Sequence, residues 1–181
     1  MPFKNTEKTY GLLAIAFHWL SALTVFGLFG LGLWMCSLDY YHPWYKQGPD
    51  LHRSIGVLLV ITTVLRLIWR SLNITPAGEP GLRWQLNLAR ITHGLLYLWF
   101  FLMLISGYLI TTAKGQALEV FNWFVIPAFI TGIENLEDTA GVVHWLLACA
   151  FMSLVAVHAG AAVYHHVIKR DGTLRRMLGR T

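Results

Sequence analysis

The chain is poor in charged residues. Only 13% of its 181 residues are Asp, Glu, Lys or Arg, whereas 56% are hydrophobic, and the mean hydropathy is +0.53. A soluble domain carries about 25% charged residues, distributed among its core positions, so this composition excludes an ordinary soluble domain. Cysteine is scarce too: Cys36 and Cys149 fall in different apolar segments at different depths, which argues against a disulfide. The sequence therefore predicts an integral membrane protein.

Four apolar segments are long enough to cross the hydrocarbon core as helices, which takes roughly 20 residues. They cover residues 11–37, 52–69, 91–112 and 142–168, and a tail of residues 169–181 follows. The second segment is the shortest, and it gains length only because Arg53, Arg66 and Arg70 can extend their charges to the membrane interfaces. We expect a single all-α transmembrane domain, residues 1–181, folded as a four-helix bundle.

Positive charge is distributed unequally between the two sides of this topology. One side holds the N-terminus, the loop of residues 67–90 and the tail, and carries Lys4, Lys8, Arg66, Arg70, Arg83, Arg90, Lys169, Arg170, Arg175, Arg176 and Arg180. The other side carries only Lys46, Arg53 and Lys114. The positive-inside rule then predicts that both termini are cytoplasmic. The net charge of +5 reflects topology, and it does not indicate a nucleic-acid partner.

The apolar segments lack Asp and Glu but contain histidines, which are costly in a bilayer and indicate a function by default. His144 and His158 lie on the fourth segment, fourteen positions apart. Fourteen residues of helix advance by about 21 Å and return to nearly the same face. The two imidazoles therefore suit two stacked sites, one near each membrane surface.

Depth along the helices indicates a partner for each of these histidines. His18 lies ten residues after Lys8 and His158 eleven before Lys169, which buries both by about 15 Å from the cytoplasmic charges. At the other surface, His52 opens the second segment and His144 follows the last loop. The topology thus predicts two layers, His18 with His158 and His52 with His144.

Two facing imidazoles limit the choice of ligand. Zinc needs three or four protein ligands, and neither layer supplies carboxylates, whereas copper or a proton relay stays compatible with the residues. Haem brings its own equatorial nitrogens, needs two axial ligands and presents an apolar face, so it fits best. Small residues near the histidines could leave room for a flat macrocycle, or serve helix packing. They are Gly11, Gly56, Ala159, Gly160, Ala161 and Ala162.

The remaining histidines are weaker candidates. His165 shares a face with His158 but lies only four residues before Lys169, so we expect His165 and His166 to cap the helix C-terminus. His93 opens the third segment near Arg90, where it is a candidate for binding a quinone or an ordinary interfacial histidine. His42 is expected to be solvated in its polar loop.

The motifs around these histidines resemble those of the bacterial cytochrome b561 family, which are small four-helix dihaem proteins of the inner membrane. They are FHWL at His18, LHRSIG at His52, GLLYLWF in the third segment, VVHW and VHAGAAVYHH in the fourth, and DGTLRRM in the tail. The likeness extends from about residue 10 to residue 177.

The resemblance implies two b-type haems with His18, His52, His144 and His158 as axial ligands to iron, paired as above. It further implies electron transfer between a periplasmic donor or acceptor and a membrane quinone such as ubiquinone. In one branch of the family, the periplasmic partner is superoxide. Arg53 is a candidate for pairing with a haem propionate or attracting an anion, or is simply an interfacial arginine.

Two other functions stay open. The first is a haem-b anchor subunit of a larger oxidoreductase, and the second is a proton or ion transporter lined by histidines, which would require intramembrane carboxylates or broken helices. Assembly as a homodimer or within a larger redox complex is compatible with either electron-transfer role. The apolar segment FNWFVIPAFITG contains Pro127 and is too short to span, so we expect it to lie at the outer interface.

Overall fold

Four long helices account for most of the chain in the computed structural model, which describes residues 1–77 and 83–180. These helices are α1 (Leu12–Met35), α2 (Gln47–Leu72), α3 (Arg83–Thr112) and α4 (Leu136–Tyr164). All four are long and apolar enough to cross a membrane. Large apolar side chains such as Leu23 (69% exposed) and Leu146 (61%) lie on their outer surfaces, as expected when the surroundings are lipid.

Three of the helices extend beyond the segments predicted for them. α2 begins at Gln47 instead of residue 52, α3 at Arg83 instead of residue 91, and α4 at Leu136 instead of residue 142. The predicted limits follow apolar composition, whereas a helix can continue past the hydrocarbon boundary when its first turn is stable. Acidic residues in the first turns of α2 and α4 (Asp50, Glu137 and Asp138) provide that stability by facing the positive end of the helix dipole.

The segment between α3 and α4 contains a feature that the sequence did not predict. Strands β1 (Leu118–Val120) and β2 (Phe124–Ile126) pair in antiparallel register, with Leu118 opposite Ile126. The connection of residues 121–123 puts Phe121 and Asn122 at positive φ (47° and 58°), and the Trp123 N–H donates to the Val120 carbonyl oxygen at 2.8 Å.

The described residues form two compact units, each containing part of every long helix. The tail unit comprises Met1–Ser21, Thr62–Leu98 and Ala150–Thr181, and the hairpin unit comprises Ala22–Ile61 and Trp99–Cys149. The single domain expected from the sequence stays a prediction.

In the tail unit, hydrogen bonds join the N-terminal residues, the end of α2 and the tail. The Asn5 amide donates to the Ile74 carbonyl oxygen at 2.8 Å, and the Trp19 indole donates to the Met177 carbonyl oxygen at 2.7 Å. α4 ends in a π-helical turn, His165–Lys169, which Arg170 closes at φ 54°, and a short helix α5 (Thr173–Met177) follows. A left-handed residue commonly terminates a helix in this way.

In the hairpin unit, the hairpin and the residues after it bond to α2 and α3. The Phe121 N–H donates to the hydroxyl oxygen of Ser54, a residue only 3% exposed, at 3.1 Å. The Tyr108 hydroxyl donates to the Pro127 carbonyl oxygen at 2.8 Å and accepts from the Phe129 N–H at 2.8 Å. These bonds satisfy backbone groups of an apolar segment that cannot span the membrane.

Candidate functional site

The hairpin unit brings His52 of α2 and His144 of α4 together. Their ring centroids are 6.3 Å apart, and the ring planes meet at 75°. Gly32 of α1 leaves room beside His52, since a Cβ atom at position 32 would lie 3.5 Å from His52 Cε1. Gly107 of α3 does the same for His144, where an added Cβ would lie only 3.1 Å from Cε1.

Hydrogen bonds from α3 orient the His144 ring. Its Nδ1 lies 3.0 Å from Ser106 Oγ and 3.1 Å from the Met103 carbonyl oxygen. In contrast, His52 Nδ1 is buried and has no hydrogen-bond partner among residues 1–77 and 83–180. A polar atom of this kind is rare in proteins and calls for a partner that these residues do not include.

The tail unit brings His18 of α1 and His158 of α4 together in the same way. Their ring centroids are also 6.3 Å apart, with an interplanar angle of 59°. Arg66 of α2 lies beside them: its Nη2 is 3.3 Å from His18 Nδ1, and its guanidinium lies 5.8 Å from the centre of the Tyr97 ring.

The spacing of both pairs fits two axial ligands of one metal ion. An imidazole nitrogen bonds a first-row metal at about 2 Å and lies about 1 Å from its ring centre, so rings on opposite sides of one ion have centroids about 6 Å apart. Within the described residues, no group of three or more His, Cys, Asp or Glu side chains could hold a bare ion. Two ligands per site suit a cofactor that supplies the other donors, as haem does.

His93 lies beside the His158 ring, and it does not open α3 as expected from the sequence. Because α3 begins at Arg83, His93 lies in its third turn, and its ring centroid is 5.2 Å from that of His158.

The other histidines are held elsewhere. His165 Nδ1 bonds Asp171 Oδ2 at 2.5 Å, within the turn that ends α4. His42 accepts a hydrogen bond from the Trp44 N–H at 3.1 Å in the loop between α1 and α2.

Arg53 lies next to His52 but is engaged in an ion pair with Asp50, one turn earlier in α2. The pair neutralises the charge that would attract an anion. A second ion pair in this unit joins Lys114 to Glu137. The hydrogen bond and charge of Glu137 raise the pKa of the exposed Lys114 above its usual value.

The small residues near the histidines differ in what surrounds them. Added Cβ atoms at Gly56 and Gly160 would meet nothing within 4 Å among the described residues, so contact with a neighbouring helix does not require glycine at either position. A Cβ at Gly11 would lie 2.4 Å from the Lys4 backbone, so this glycine accommodates the N-terminal segment. Sequence reasoning missed Gly32, Ser106 and Gly107, because their roles depend on contacts between helices.

The chain is similar to a known family of proteins. The sequence model of a family described as prokaryotic cytochrome b561 matches residues 9–180. The chain is 45% identical over 182 residues to "Cytochrome b561 homolog 2" of Escherichia coli strain K12, covering 100% of this chain and 97% of that protein.

Two further relatives are more distant. "Probable superoxide oxidase CybB" of Yersinia pestis is 29% identical over 177 residues, covering 95% of this chain and 97% of the relative. "Cytochrome b561 homolog 1" of E. coli K12 is 26% identical over 174 residues, covering 92% and 94%.

These matches confirm the fold class and the general function predicted from the sequence: an all-α, four-helix membrane protein that binds b-type haem and transfers electrons across the bacterial inner membrane. The transporter hypothesis loses its support. The chain belongs to the prokaryotic cytochrome b561 family.

Proposed function

We propose that the chain carries two b-type haems, one in each unit, and passes electrons between a partner at the outer face and the membrane quinone pool. His18 and His158 are the axial ligands in the tail unit, and His52 and His144 are those in the hairpin unit. The ring spacing of 6.3 Å in both pairs carries this proposal, because it matches what two ligands on opposite sides of one iron require.

The protein's part in the reaction is to hold and orient the haems and to enclose them within the helices. Bound haem iron supplies one-electron oxidation and reduction. Each histidine pair would hold one haem iron, and with both imidazoles bound the iron would have no open position for a substrate, so its chemistry would be electron transfer alone. The apolar side chains of the helices exclude water around it and leave the imidazoles as its polar contacts.

The haem count tests this proposal directly. Purified protein should show a reduced-minus-oxidised spectrum of haem b, and a pyridine haemochrome assay should give two haems per chain. His144→Ala should lose one of them. His42→Ala is the matched control, since His42 lies in a loop and should be replaceable without loss. A single haem in the wild-type chain, or two haems retained in His144→Ala, would contradict the proposal.

The orientation belongs to the same proposal. The surplus of Lys and Arg in the tail unit supports cytoplasmic termini, which would put the His52–His144 pair on the periplasmic side. A C-terminal fusion to a fluorescent protein that matures only in the cytoplasm should be bright. A C-terminal alkaline phosphatase fusion, active only in the periplasm, should be inactive; the reverse pattern would refute this orientation.

Quinone is the proposed partner at the inner side, where His93 adds a third imidazole beside His158 and is a candidate for its binding. In liposomes, dithionite-reduced protein should be reoxidised by ubiquinone-1. His93→Ala should slow that reoxidation and leave the haem spectrum unchanged. Equal rates in the two proteins would remove His93 from the proposal.

Superoxide is one candidate for the partner at the outer face, because one relative is named a probable superoxide oxidase. The outer side works against it: Arg53 is paired with Asp50, and acidic residues outnumber basic ones there, so an anion is repelled. We therefore expect superoxide to drive little reduction of ubiquinone by the purified protein. Rapid reduction of ubiquinone by superoxide would show instead that superoxide is the outer partner.

The remaining alternative is a haem subunit of a larger redox complex, or a homodimer. Co-purification under mild detergent and native mass spectrometry distinguish these assemblies from a single chain.

A further inference from the structure

The His144 ring is held by two groups of α3. Its Nδ1 lies 3.0 Å from Ser106 Oγ and 3.1 Å from the Met103 carbonyl oxygen, and Ser106 Oγ itself lies 2.9 Å from that carbonyl oxygen. Ser106 is only 4% exposed, so water does not compete for these bonds. The three groups form a closed triangle inside the hairpin unit.

The positions of the hydrogen atoms follow from the chemistry of the triangle. A carbonyl oxygen can only accept, so the proton of the contact between Met103 and His144 must be on Nδ1. The single Ser106 hydroxyl proton points to the Met103 carbonyl oxygen, which leaves a serine lone pair to accept from the same Nδ1–H. Nε2 of His144 is then the unprotonated nitrogen, which is the one able to bind a metal.

We propose that Ser106 is a positioning residue that orients the His144 ring, whose tautomer the Met103 carbonyl oxygen sets, and lowers the reduction potential of the haem at this site. The inference rests on the proposed role of His144 as an axial ligand. A hydrogen bond from the distal nitrogen of a ligating imidazole strengthens its donation to the metal. Stronger donation stabilises the ferric state over the ferrous state, which lowers the potential.

The neighbouring residue supports this role. A Cβ atom at Gly107 would approach His144 Cε1 to 3.1 Å, so this glycine leaves the ring in the position that the Ser106 bond selects. Ser106 thus bonds the His144 ring, and the next residue of α3, Gly107, leaves space for that ring.

Two of the other candidate ligands, His18 and His52, lack this arrangement. His18 Nδ1 faces the Arg66 guanidinium at 3.3 Å, a group that can only donate. His52 Nδ1 has no partner in the described part of the chain. A change at position 106 should therefore affect one haem and leave the other unchanged.

The test compares Ser106→Ala, Ser106→Cys and Ser106→Thr by redox titration of the purified, haem-loaded protein. Ser21→Ala is the matched control, because Ser21 is also buried and its hydroxyl donates to a carbonyl oxygen of its own helix, that of Phe17, at 2.7 Å. Ser106→Ala should raise the midpoint of the haem that is missing in His144→Ala, and that haem should transfer to apomyoglobin about tenfold faster. Ser106→Thr keeps the hydroxyl and should restore both values, and Ser21→Ala should change neither.

Ser106→Cys nearly keeps the size of the side chain but offers His144 only a weak acceptor, so it should also raise the midpoint of this haem. If Ser106→Ala loses the haem, the midpoint of Ser106→Cys tests the inference. Midpoints that stay unchanged in Ser106→Ala and Ser106→Cys, or equal shifts of both haems, would overturn the inference. Failure of the proposed function is distinguishable, because it would appear first as a wild-type chain without two haems or as haem binding that does not depend on His144.

Discussion

The imidazole rings of His93 and His158 are in edge-to-face contact, with centroids 5.2 Å apart and planes at 69°. This separation is about 1 Å shorter than two rings on opposite sides of one iron require. His18, at 6.3 Å, has the right separation from the same ring. His93 is therefore a neighbour of the proposed inner site and not a ligand in it.

This relationship predicts different outcomes for two alanine variants in the tail unit. His93→Ala should retain both haems, whereas His18→Ala should lose one, as measured by pyridine haemochrome per chain. Loss of a haem from His93→Ala, together with retention in His18→Ala, would exchange the two roles.

Two glycines of the hairpin unit predict a contrast in packing. Gly107→Ala should displace the His144 ring, because overpacking at 3.1 Å costs about 1–3 kcal/mol, which corresponds to a loss of haem affinity of roughly 5- to 150-fold at that site. Gly32→Ala puts its methyl group at 3.5 Å from His52, an ordinary contact, and should be tolerated. The haem content of each variant after dialysis against apomyoglobin measures the loss of affinity. Equal losses of haem from Gly107→Ala and Gly32→Ala would argue against displacement of the His144 ring.

Ser54 predicts how the hairpin depends on α2. Ser54→Ala leaves the Phe121 N–H without its buried acceptor, which should cost about 1–3 kcal/mol and lower the midpoint of thermal unfolding in detergent. Ser71→Ala is the control, because the exposed Ser71 hydroxyl bonds only a carbonyl oxygen of its own helix, that of Ile68. A larger effect from Ser71 than from Ser54 would refute the role of this bond.

The turn after α4 predicts a dependence on acidic pH. Burial raises the pKa of Asp171, but the hydrogen bonds that its carboxylate accepts from His165 and Thr173 outweigh burial and hold the pKa below its usual 3.8. A lowered carboxyl pKa means that its contribution to stability is present above pH 3.8 and is lost as the pH falls through the folded-state value. The carboxylate–imidazole pair is partly exposed, so we expect a contribution below about 1 kcal/mol.

The mobility of a spin label on Arg175→Cys, in a background with Cys36 and Cys149 replaced by Ala, measures this effect. The label should become more mobile as the pH falls below 3.8. Adding Asp171→Asn should make it mobile at neutral pH and remove the pH dependence. A label with the same pH response in both proteins would contradict the role of Asp171.

Apolar length made the four helices predictable, because the membrane demands continuous helix across its hydrocarbon core. The ends of the helices were less predictable, since polar turns such as those at the start of α3 continue the helix outside that core. The hairpin was missed because Phe121 adopts positive φ without the usual Gly or Asn signal at that position.

Depth along the helices predicts the pairing of histidines, and the ring centroids of His18 and His158, like those of His52 and His144, lie 6.3 Å apart; their role as ligands stays a prediction. The residues that orient these imidazole rings could not be inferred from the sequence. Ser106 and His144 are 38 positions apart and on different helices, so only the packing of α3 against α4 within the hairpin unit reveals the bond.

Haem counting in paired histidine variants tests the central claim most directly. Each of His18→Ala, His52→Ala, His144→Ala and His158→Ala should bind one haem per chain. The double variant His18→Ala/His158→Ala should still bind one, because both changes remove the same site, whereas His18→Ala/His144→Ala should bind none. One haem in the second double variant and none in the first would contradict the pairing.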